Sequence, residues 1–560
     1  MKIDVWLRDL KMSKEAYFRL VLISVVMFGL VVPMMMTLLL ADIVGSPTIY
    51  IMYVLPIFAV IVILLLPAVY TGKRKTNVDS NMPMFVTTMA ALSTSDMSFD
   101  KVFYILSEKK EFGQLAEDAK QVYRLLKHYS VGAAEACRFV AQRTSSQLEG
   151  DFFQRLSHSL DVGEKLDRFM KNEHDVMMDE FILKSDSALK DLEFVKDIYT
   201  GITTSLIFTA VFVAITPVLG SSDIDMLLFG VVASFVAMEA FFIFFLKTKL
   251  PKECIWYGWR LKMKRGLIND SDRLVFTATL IAIFGIILLS FVMLPSGFPM
   301  TFVASTIFLP ALFPGVLIMR EERKIEKRDN LYGAFIRSLG RSSEVSGTTM
   351  ADGVKKLAMH KFGPLTDMIK NLSKRLAMHI NATESWRHFS AETSSSLIER
   401  FGEMYVLCIQ NGSKPEATSI FISNNMFKVL TIRKRRQTIG SSFVGLLYGI
   451  MVSLSVTLYV TVGIVDYMGQ VMGDLAISNP DFISGGFLTN IFSGSYSTAG
   501  IELMTFSVIF VHALMSSLML PMLKGGHMAG AIIHFIALMW IGSVGGFMAE
   551  IMIGGLMSSG

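Results

Sequence analysis

Cysteine is scarce in this chain, which has three in 560 residues: Cys137, Cys254 and Cys408. They are far apart in sequence, without the close pairs that bind a structural metal. A small disulfide-stapled fold also needs many more cysteines than this. The sequence therefore predicts no metal site, no cofactor and no disulfide framework.

Sequence motifs of enzymes are missing as well. The chain contains no Gly-x-x-x-x-Gly-Lys phosphate loop, no His-Glu-x-x-His zinc pair and no nucleophile elbow. We therefore predict a protein that is not an enzyme, with no catalytic, cofactor-binding or metal-binding residue. Any energy for movement would come from a partner.

Charged residues are few, at 18% of the chain, whereas soluble globular proteins carry about 25%. Hydrophobic residues make up 52% and lie in runs of about 20, long enough to cross a bilayer as a helix. The predicted fold class is an all-α polytopic membrane protein with about nine transmembrane helices. The predicted spans are Tyr17–Leu40, Ile49–Tyr70, Gly201–Leu219, Met226–Leu246, Leu274–Leu294, Thr301–Met319, Ser441–Val465, Ile501–Leu523 and Ala529–Gly554.

Lysine and arginine are absent from alternate connections between these spans. None occurs at 42–48, 220–225, 295–300, 466–500 or after Lys524. Because basic residues are retained on the cytoplasmic side, we expect a multi-pass protein of the cell membrane with a cytoplasmic amino terminus and an external carboxyl terminus. The net charge of +5 follows from this topology, and nucleic acid is not expected as a partner.

Two long polar blocks, 71–200 and 320–440, are predicted to be homologous cytoplasmic helical bundles. Both have few prolines and glycines and carry apolar residues at spacings of three and four. The remaining predicted segments are the first spans at 1–70, spans at 201–246, a basic amphipathic loop at 247–273, spans at 274–319, and the last spans at 441–560 with an external loop at 466–500.

A repeated phrase supports duplication of these blocks. RTSSQLEGDF at 143–152 recurs as ETSSSLIERF at 392–401, and other matches follow at offsets of 250 or 249. Ser146 with Glu149, and Ser396 with Glu399, fit a capping box, so both phrases are predicted to begin a helix. Asn381 is predicted to begin another.

The blocks resemble a known family through three stretches. The first block reads FVTTMAALSTSDMSFDKVFYIL and later SLDVGEKLDRFM, and the second reads FIRSLGRSSEVSGTTMADGVKKLA. These resemble the type II secretion F domain of platform proteins. The first copy departs at Ser93–Asp96, where the family has a hairpin glycine, and the second reads Gly412-Ser413 at the later Gly-Glu turn.

The nine spans make the resemblance strongest to the archaeal flagellum (archaellum) assembly platform. It implies a membrane anchor for a type IV pilus-like filament. A hexameric assembly ATPase and associated cytoplasmic motor proteins would push on it, and prepilin-like filament subunits would leave the membrane beside it. A homodimer is expected against a hexameric motor.

The ATPase would need a contact surface on the two blocks, and a basic helical surface suits an acidic partner. The alternative is that these charges form an ordinary solvated face, and that Lys73–Lys75 and Arg433–Arg436 only fix topology. The candidate ATPase contacts are Lys109, Lys110, Arg124, Arg155, Glu164, Lys355, Lys356 and Arg375.

A basic stretch between two spans, Lys252–Leu267, has the pattern of a helix lying among inner-leaflet lipid headgroups. It is either a plain interfacial anchor in contact with membrane lipids or a lever beneath the membrane. Its candidate residues are Trp256, Trp259, Arg260, Lys262, Lys264 and Arg265.

Glu239 is an acid inside a predicted span, about 12 Å along the helix from Lys247. An acid there is costly and suggests a function. It could contact a filament subunit, pair with another residue, or be protonated; His512, His534 and Glu550 raise the same question. The alternative function for the whole chain is a secondary transporter or channel built from internal repeats.

Overall fold

The computed structural model describes residues 77–95, 97–144, 146–216, 224–250, 255–257, 270–295, 297–345, 349–478 and 498–558. Helices dominate the described residues, which contain no strand apart from one antiparallel bridge between Trp256 and Ser395. The all-α prediction is confirmed for this part of the chain.

Seventeen helices are assigned in the described segments. The first six are α1 at residues 77–93, α2 Phe99–Glu108, α3 Gln114–His128, α4 Ala133–Ala141, α5 Gln147–Asp161 and α6 Leu166–Ile215. The next five are α7 Ile224–Lys249, α8 Asp270–Met293, α9 Met300–Ile307, α10 Leu312–Val345 and α11 Met350–Leu357. The last six are α12 Thr366–Ala377, α13 Ala382–Thr393, α14 Ser396–Gln410, α15 Pro415–Ser478, α16 Thr498–Lys524 and α17 Ala531–Ser558.

The chain divides into two compact units. One comprises residues 1–181 with 411–413, and its described part is a small bundle around an aromatic core. Phe85, Phe103, Phe152 and Phe153 are completely buried in that core. Burial of such side chains provides most of the stabilisation of a bundle of short helices.

The other unit comprises residues 182–410 and 414–560. It contains a second bundle, from α10 to the start of α15, together with long apolar helices. A second aromatic cluster fills this bundle, with Tyr332, Phe335, Trp386 and Tyr405 buried. α10 and α15 run from the bundle into apolar segments without a break, crossing the boundaries predicted at 319/320 and 440/441.

Among the described residues, seven helical stretches are long and apolar enough to span a membrane, and each overlaps one of the last seven predicted spans. They are Leu166–Ile215, Met226–Thr248, Asp272–Met293, Met300–Val345, Pro415–Val471, Gly500–Lys524 and Met528–Ile553. The predicted spans Tyr17–Leu40 and Ile49–Tyr70 lie outside the described residues, so the total of nine stays a prediction.

The two bundles contain matching contacts at matching positions. Phe85 meets Phe112 edge to face at 5.5 Å between ring centroids, and Phe335 meets Phe362 in the same way at 5.6 Å. At the repeated phrase, Ser146 Oγ donates to Asp79 in the first bundle, and Ser395 Oγ donates to Asp329 in the second. Each residue in the first-bundle contacts has its counterpart 250 or 249 residues later in the second bundle, as the predicted duplication requires.

The helix starts at the repeated phrase agree only partly with the predicted capping boxes. Ser146 caps α5 by accepting from the Glu149 amide at 3.3 Å. In the second copy Ser395, rather than Ser396, accepts from the Ile398 amide at 3.2 Å. The prediction of Ser396 was wrong by one residue, because Ser395 is the residue whose hydroxyl also reaches Asp329. Asn381 caps α13 as predicted.

Candidate functional site

The Gly163-Glu164 turn borders an open groove in the first bundle. Gly163 has φ +78°, a conformation that favours glycine, and Ser159 Oγ donates to Glu164 Oε2 at 2.6 Å. The groove has a volume of about 580 Å³. It brings together the predicted contacts Arg155 and Glu164, and its lining consists of Asp151, Gln154, Arg155, His158, Ser159, Val162, Glu164 and Phe169.

Arg155 is held at the edge of this groove by Glu173. Its Nε and Nη2 donate to Glu173 Oε1 at 2.8 and 2.5 Å. Burial alone would lower the pKa of the Arg155 guanidinium, but the hydrogen bond and charge of Glu173 outweigh burial and raise this pKa. Arg155 therefore has a structural partner in addition to its predicted role.

The other predicted ATPase contacts differ in exposure. Arg375 forms an ion pair with Glu392, and both side chains are mostly buried. Lys109 is half-buried. The exposed candidates are Lys110 and Arg124 in the first bundle, and Lys355 and Lys356 at the end of α11 in the second.

The basic cluster 433–436 does more than fix topology. Arg433 is 3% exposed, and its Nη1 donates to Asp329 Oδ2 at 2.8 Å. Arg436 is 5% exposed and donates to the carbonyls of Leu523 and Met522, at 2.9 and 2.7 Å. Those carbonyls end α16, where a cation offsets the helix dipole. Arg433 and Arg436 thus tie α15 to other helices.

The segment 255–257 joins the second bundle to the last two apolar helices. The Tyr257 amide donates to Ser394 O at 2.8 Å, and the Ser396 amide donates to Ile255 O at 3.0 Å. Trp256 Nε1 donates to Glu322 Oε1 at 3.2 Å, and the same oxygen accepts from the His527 amide at 2.6 Å. We call these contacts the junction.

The junction corrects the prediction for Trp256. It lies in an extended bridge instead of an interfacial helix, because its neighbours' backbone groups pair with the linker before α14. Its ring packs on His527 with centroids 5.5 Å apart. The other predicted residues of that helix, which are Trp259, Arg260, Lys262, Lys264 and Arg265, lie outside the described residues.

Glu239 lies in a buried polar cluster formed by three apolar helices. Its Oε1 accepts from Tyr199 OH of α6 at 2.8 Å and lies 2.7 Å from His512 Nδ1 of α16. Ser516 is 3.2 Å from the same tyrosine hydroxyl. Glu239, His512 and Ser516 are 0% exposed and Tyr199 is 1% exposed. The structure brings together Glu239 and His512, which the sequence shows only as separate polar residues in two predicted spans.

The chain is similar in sequence to known proteins over most of its length. The family model of type II secretion system (T2SS) protein F matches residues 85–214. Flagella accessory protein J of Methanocaldococcus jannaschii is 28% identical over 542 residues, covering 95% of both chains. Flagella accessory protein J of Methanococcus voltae is 29% identical over 501 residues, covering 88% of both chains. No solved structure matches.

Proposed function

Since residues 85–214 belong to the type II secretion system protein F family, we propose that this chain is the integral membrane platform of an archaellum-like filament assembly machine. The observation that carries the proposal is similarity over 95% of the chain to a flagella accessory protein. The platform is a non-enzymatic, multi-pass protein of the cell membrane. Its amino terminus is cytoplasmic and its carboxyl terminus external.

The platform relays motion from a hexameric cytoplasmic ATPase to filament subunits as they leave the membrane. Within the second unit, α10 and α15 support this relay because they are shared by the bundle and the apolar region. The buried Asp329–Arg433 ion pair holds these two helices to each other. A push on the bundle is thus carried by stiff helices instead of a loop.

The junction provides a second connection for the relay. It joins the linker before α14 to Glu322 of α10 and to His527, in the turn between α16 and α17. Movement of the bundle then also moves the α16–α17 pair. The exposed lysines Lys355 and Lys356, and the groove beside Glu164, are the proposed ATPase contacts.

A deletion strain of the native host tests the function. We expect it to lack filaments in electron micrographs and to regain them when the wild-type chain is supplied. A Trp256→Ala, Glu322→Gln chain should reach the membrane at normal levels but restore few filaments. Normal filament numbers in the deletion strain would overturn the proposal. Solute uptake by vesicles containing only this chain would instead favour the transporter alternative.

A further inference from the structure

The polar part of α10 begins with a segment whose exposed charges are all positive. Within residues 320–330, the exposed charged side chains are those of Arg320, Arg323, Lys324 and Lys327. We call these four residues the basic face, because at about 100° per residue they lie within about 100° of the helix circumference. The acidic residues of the same segment are buried or half-buried, and they are Glu321, Glu322, Glu326 and Asp329. The segment thus turns its bases outward and its acids inward.

The inward acids are bonded to other groups of the protein. Glu321 accepts from Arg328 at 2.8 Å and from Lys324 at 3.1 Å. Glu322 belongs to the junction, and Asp329 belongs to the ion pair between α10 and α15. In the part of the chain that the structure describes, no carboxylate pairs with the other three residues of the basic face. Because like charges three and four residues apart destabilise a helix, the basic face favours a negative partner from outside the chain.

Arg320 lies at the depth where a bilayer changes from hydrocarbon to headgroups. It follows Met300, the first residue of α9, by 20 residues, which correspond to about 30 Å at about 1.5 Å per residue. The hydrocarbon core of a bilayer is about 30 Å thick. The contact of Glu322 Oε1 with the His527 amide supports this depth, because His527 lies in the short connection between the apolar helices α16 and α17. The basic face therefore begins in the headgroup layer.

The side of α10 that contains the basic face is apolar at greater depth. Phe313 precedes Arg320 by seven residues, which is two helical turns, and Leu312 precedes Arg323 by eleven, which is three turns. Phe313 is 58% exposed and Leu312 is 37% exposed. One side of the helix thus offers apolar contacts within the hydrocarbon and guanidinium groups at its edge. An anionic lipid has the same order of groups, whereas the acidic surface of a protein would match only the basic part.

We propose that the basic face of α10 binds the phosphate of an anionic membrane lipid, with the acyl chains against Leu312 and Phe313. The planar guanidinium groups of Arg320 and Arg323 suit phosphate oxygens, and Lys327 adds a further positive charge. The bound lipid anchors α10, the helix that the second bundle shares with the apolar region, at the membrane surface. This inference depends on charge and depth alone and requires no motor.

Photo-cross-linking of the full-length chain tests the site locally. The protein with Phe313→p-benzoylphenylalanine is placed in nanodiscs containing equal amounts of phosphatidylglycerol and phosphatidylcholine with the same acyl chains, and the mass of the adduct identifies the lipid. Each basic residue at an anionic surface contributes about fivefold in affinity, so we expect phosphatidylglycerol adducts to exceed phosphatidylcholine adducts at least about tenfold.

The same label at Phe291 is the matched control. Phe291 is 84% exposed on α8, and the sequence has no charged residue from 274 to 319. Its two adducts should therefore form in nearly equal amounts. The same adduct ratio at positions 313 and 291 of the otherwise wild-type chain would overturn the proposal.

Variants of the basic face separate charge from packing. Arg320→Gln, Arg323→Gln and Lys327→Gln in one chain should lower the ratio at position 313 to that at 291 and leave Tm in detergent unchanged, because all three side chains are exposed. Arg320→Lys with Arg323→Lys keeps both charges and should keep most of the preference for phosphatidylglycerol.

An acidic protein is the other possible occupant of the basic face. A neutralised chain that keeps the wild-type lipid ratio but loses affinity for the host's filament-assembly ATPase would assign the face to that protein and overturn the proposal. The lipid readouts need no filament and no ATPase. A failure of lipid binding would thus leave the proposed function standing, and an absence of filament assembly would leave the lipid site standing.

Discussion

Asp186 and Arg435, which are 249 residues apart and equivalent under the predicted duplication, form an ion pair with each other. Arg435 Nη1 donates to Asp186 Oδ1 at 2.7 Å and to Oδ2 at 2.6 Å. Further along the same helices, Thr204 and its counterpart Ser453 line one groove of about 340 Å³. α6 from residue 182 and α15 thus run in the same direction, with these equivalent positions near each other.

Cross-linking tests this arrangement of α6 and α15. In a cysteine-free background, we expect Thr204→Cys with Ser453→Cys to be joined within one chain by a short bifunctional thiol reagent, because both side chains line the same groove. Val452, the exposed neighbour of Ser453, does not line that groove, so Thr204→Cys with Val452→Cys is the control. Equal yields from the two pairs would contradict this arrangement.

The equivalent residues Asp329 and Asp79 should contribute differently to the free energy of unfolding. Asp329 is 0% exposed, and Asp329→Ala removes the carboxylate to which the buried Arg433 donates. We expect a loss of about 3–5 kcal/mol of stability, measured by unfolding in detergent. Asp79→Ala is the matched variant: it removes the half-buried bond to Ser146 and should cost about 1 kcal/mol. Equal losses of stability in the two variants would contradict a large contribution from the Asp329–Arg433 ion pair.

Arg436 and Lys434 belong to the same basic cluster but should behave differently. Arg436→Ala removes two donors from the carbonyls that end α16, and we expect about 2–3 kcal/mol of destabilisation. Lys434→Ala also removes one positive charge, but from an exposed residue, and it should leave Tm unchanged. If the cluster only fixed topology, both variants would unfold at the same temperature.

Close contact between α10 and α15 depends on Gly340. A Cβ at this position would lie 2.1 Å from Ser419 Oγ and 2.5 Å from Pro415 O, so Gly340→Ala forces the helices apart. We expect a loss of about 1–3 kcal/mol, measured as a lowered Tm. Gly333→Ala on the same helix is the control. Its Cβ would lie 3.2 Å from Ser423 Oγ, and this hydroxyl can rotate away. A similar Tm for both variants would contradict close packing at Gly340.

Several features could be predicted because they repeat locally in sequence. Apolar runs of about 20 residues predict spans directly, and seven of them lie in helices long enough to cross a membrane. Identical residues at offsets of 250 and 249 predict equivalent contacts, such as those of Phe85 and Phe335. Each signal depends on neighbours along the chain or on a constant offset.

Other features depend on contacts between distant residues and could not be predicted. His512 lies 273 residues after Glu239, so nothing near Glu239 identifies its partner. Trp256 has the helical pattern of its neighbours, but backbone pairing with the linker before α14 overrides that pattern. One further match was in the sequence: Trp6 and Leu10-Lys11-Met12 recur as Trp256 and Leu261-Lys262-Met263, at offsets of 250 and 251.

Binding to the assembly ATPase tests the platform account most directly. The full-length chain in nanodiscs is titrated with the host's filament-assembly ATPase at low and high salt. We predict binding that weakens with salt, as expected for charged surfaces, and a loss of at least about tenfold in affinity for Lys355→Glu with Lys356→Glu.

Lys370→Glu with Lys374→Glu is the control. It makes the same charge change on exposed residues of α12 and should keep wild-type affinity. Absence of binding by the wild-type chain at low salt would contradict the central claim that this protein couples a motor to filament assembly.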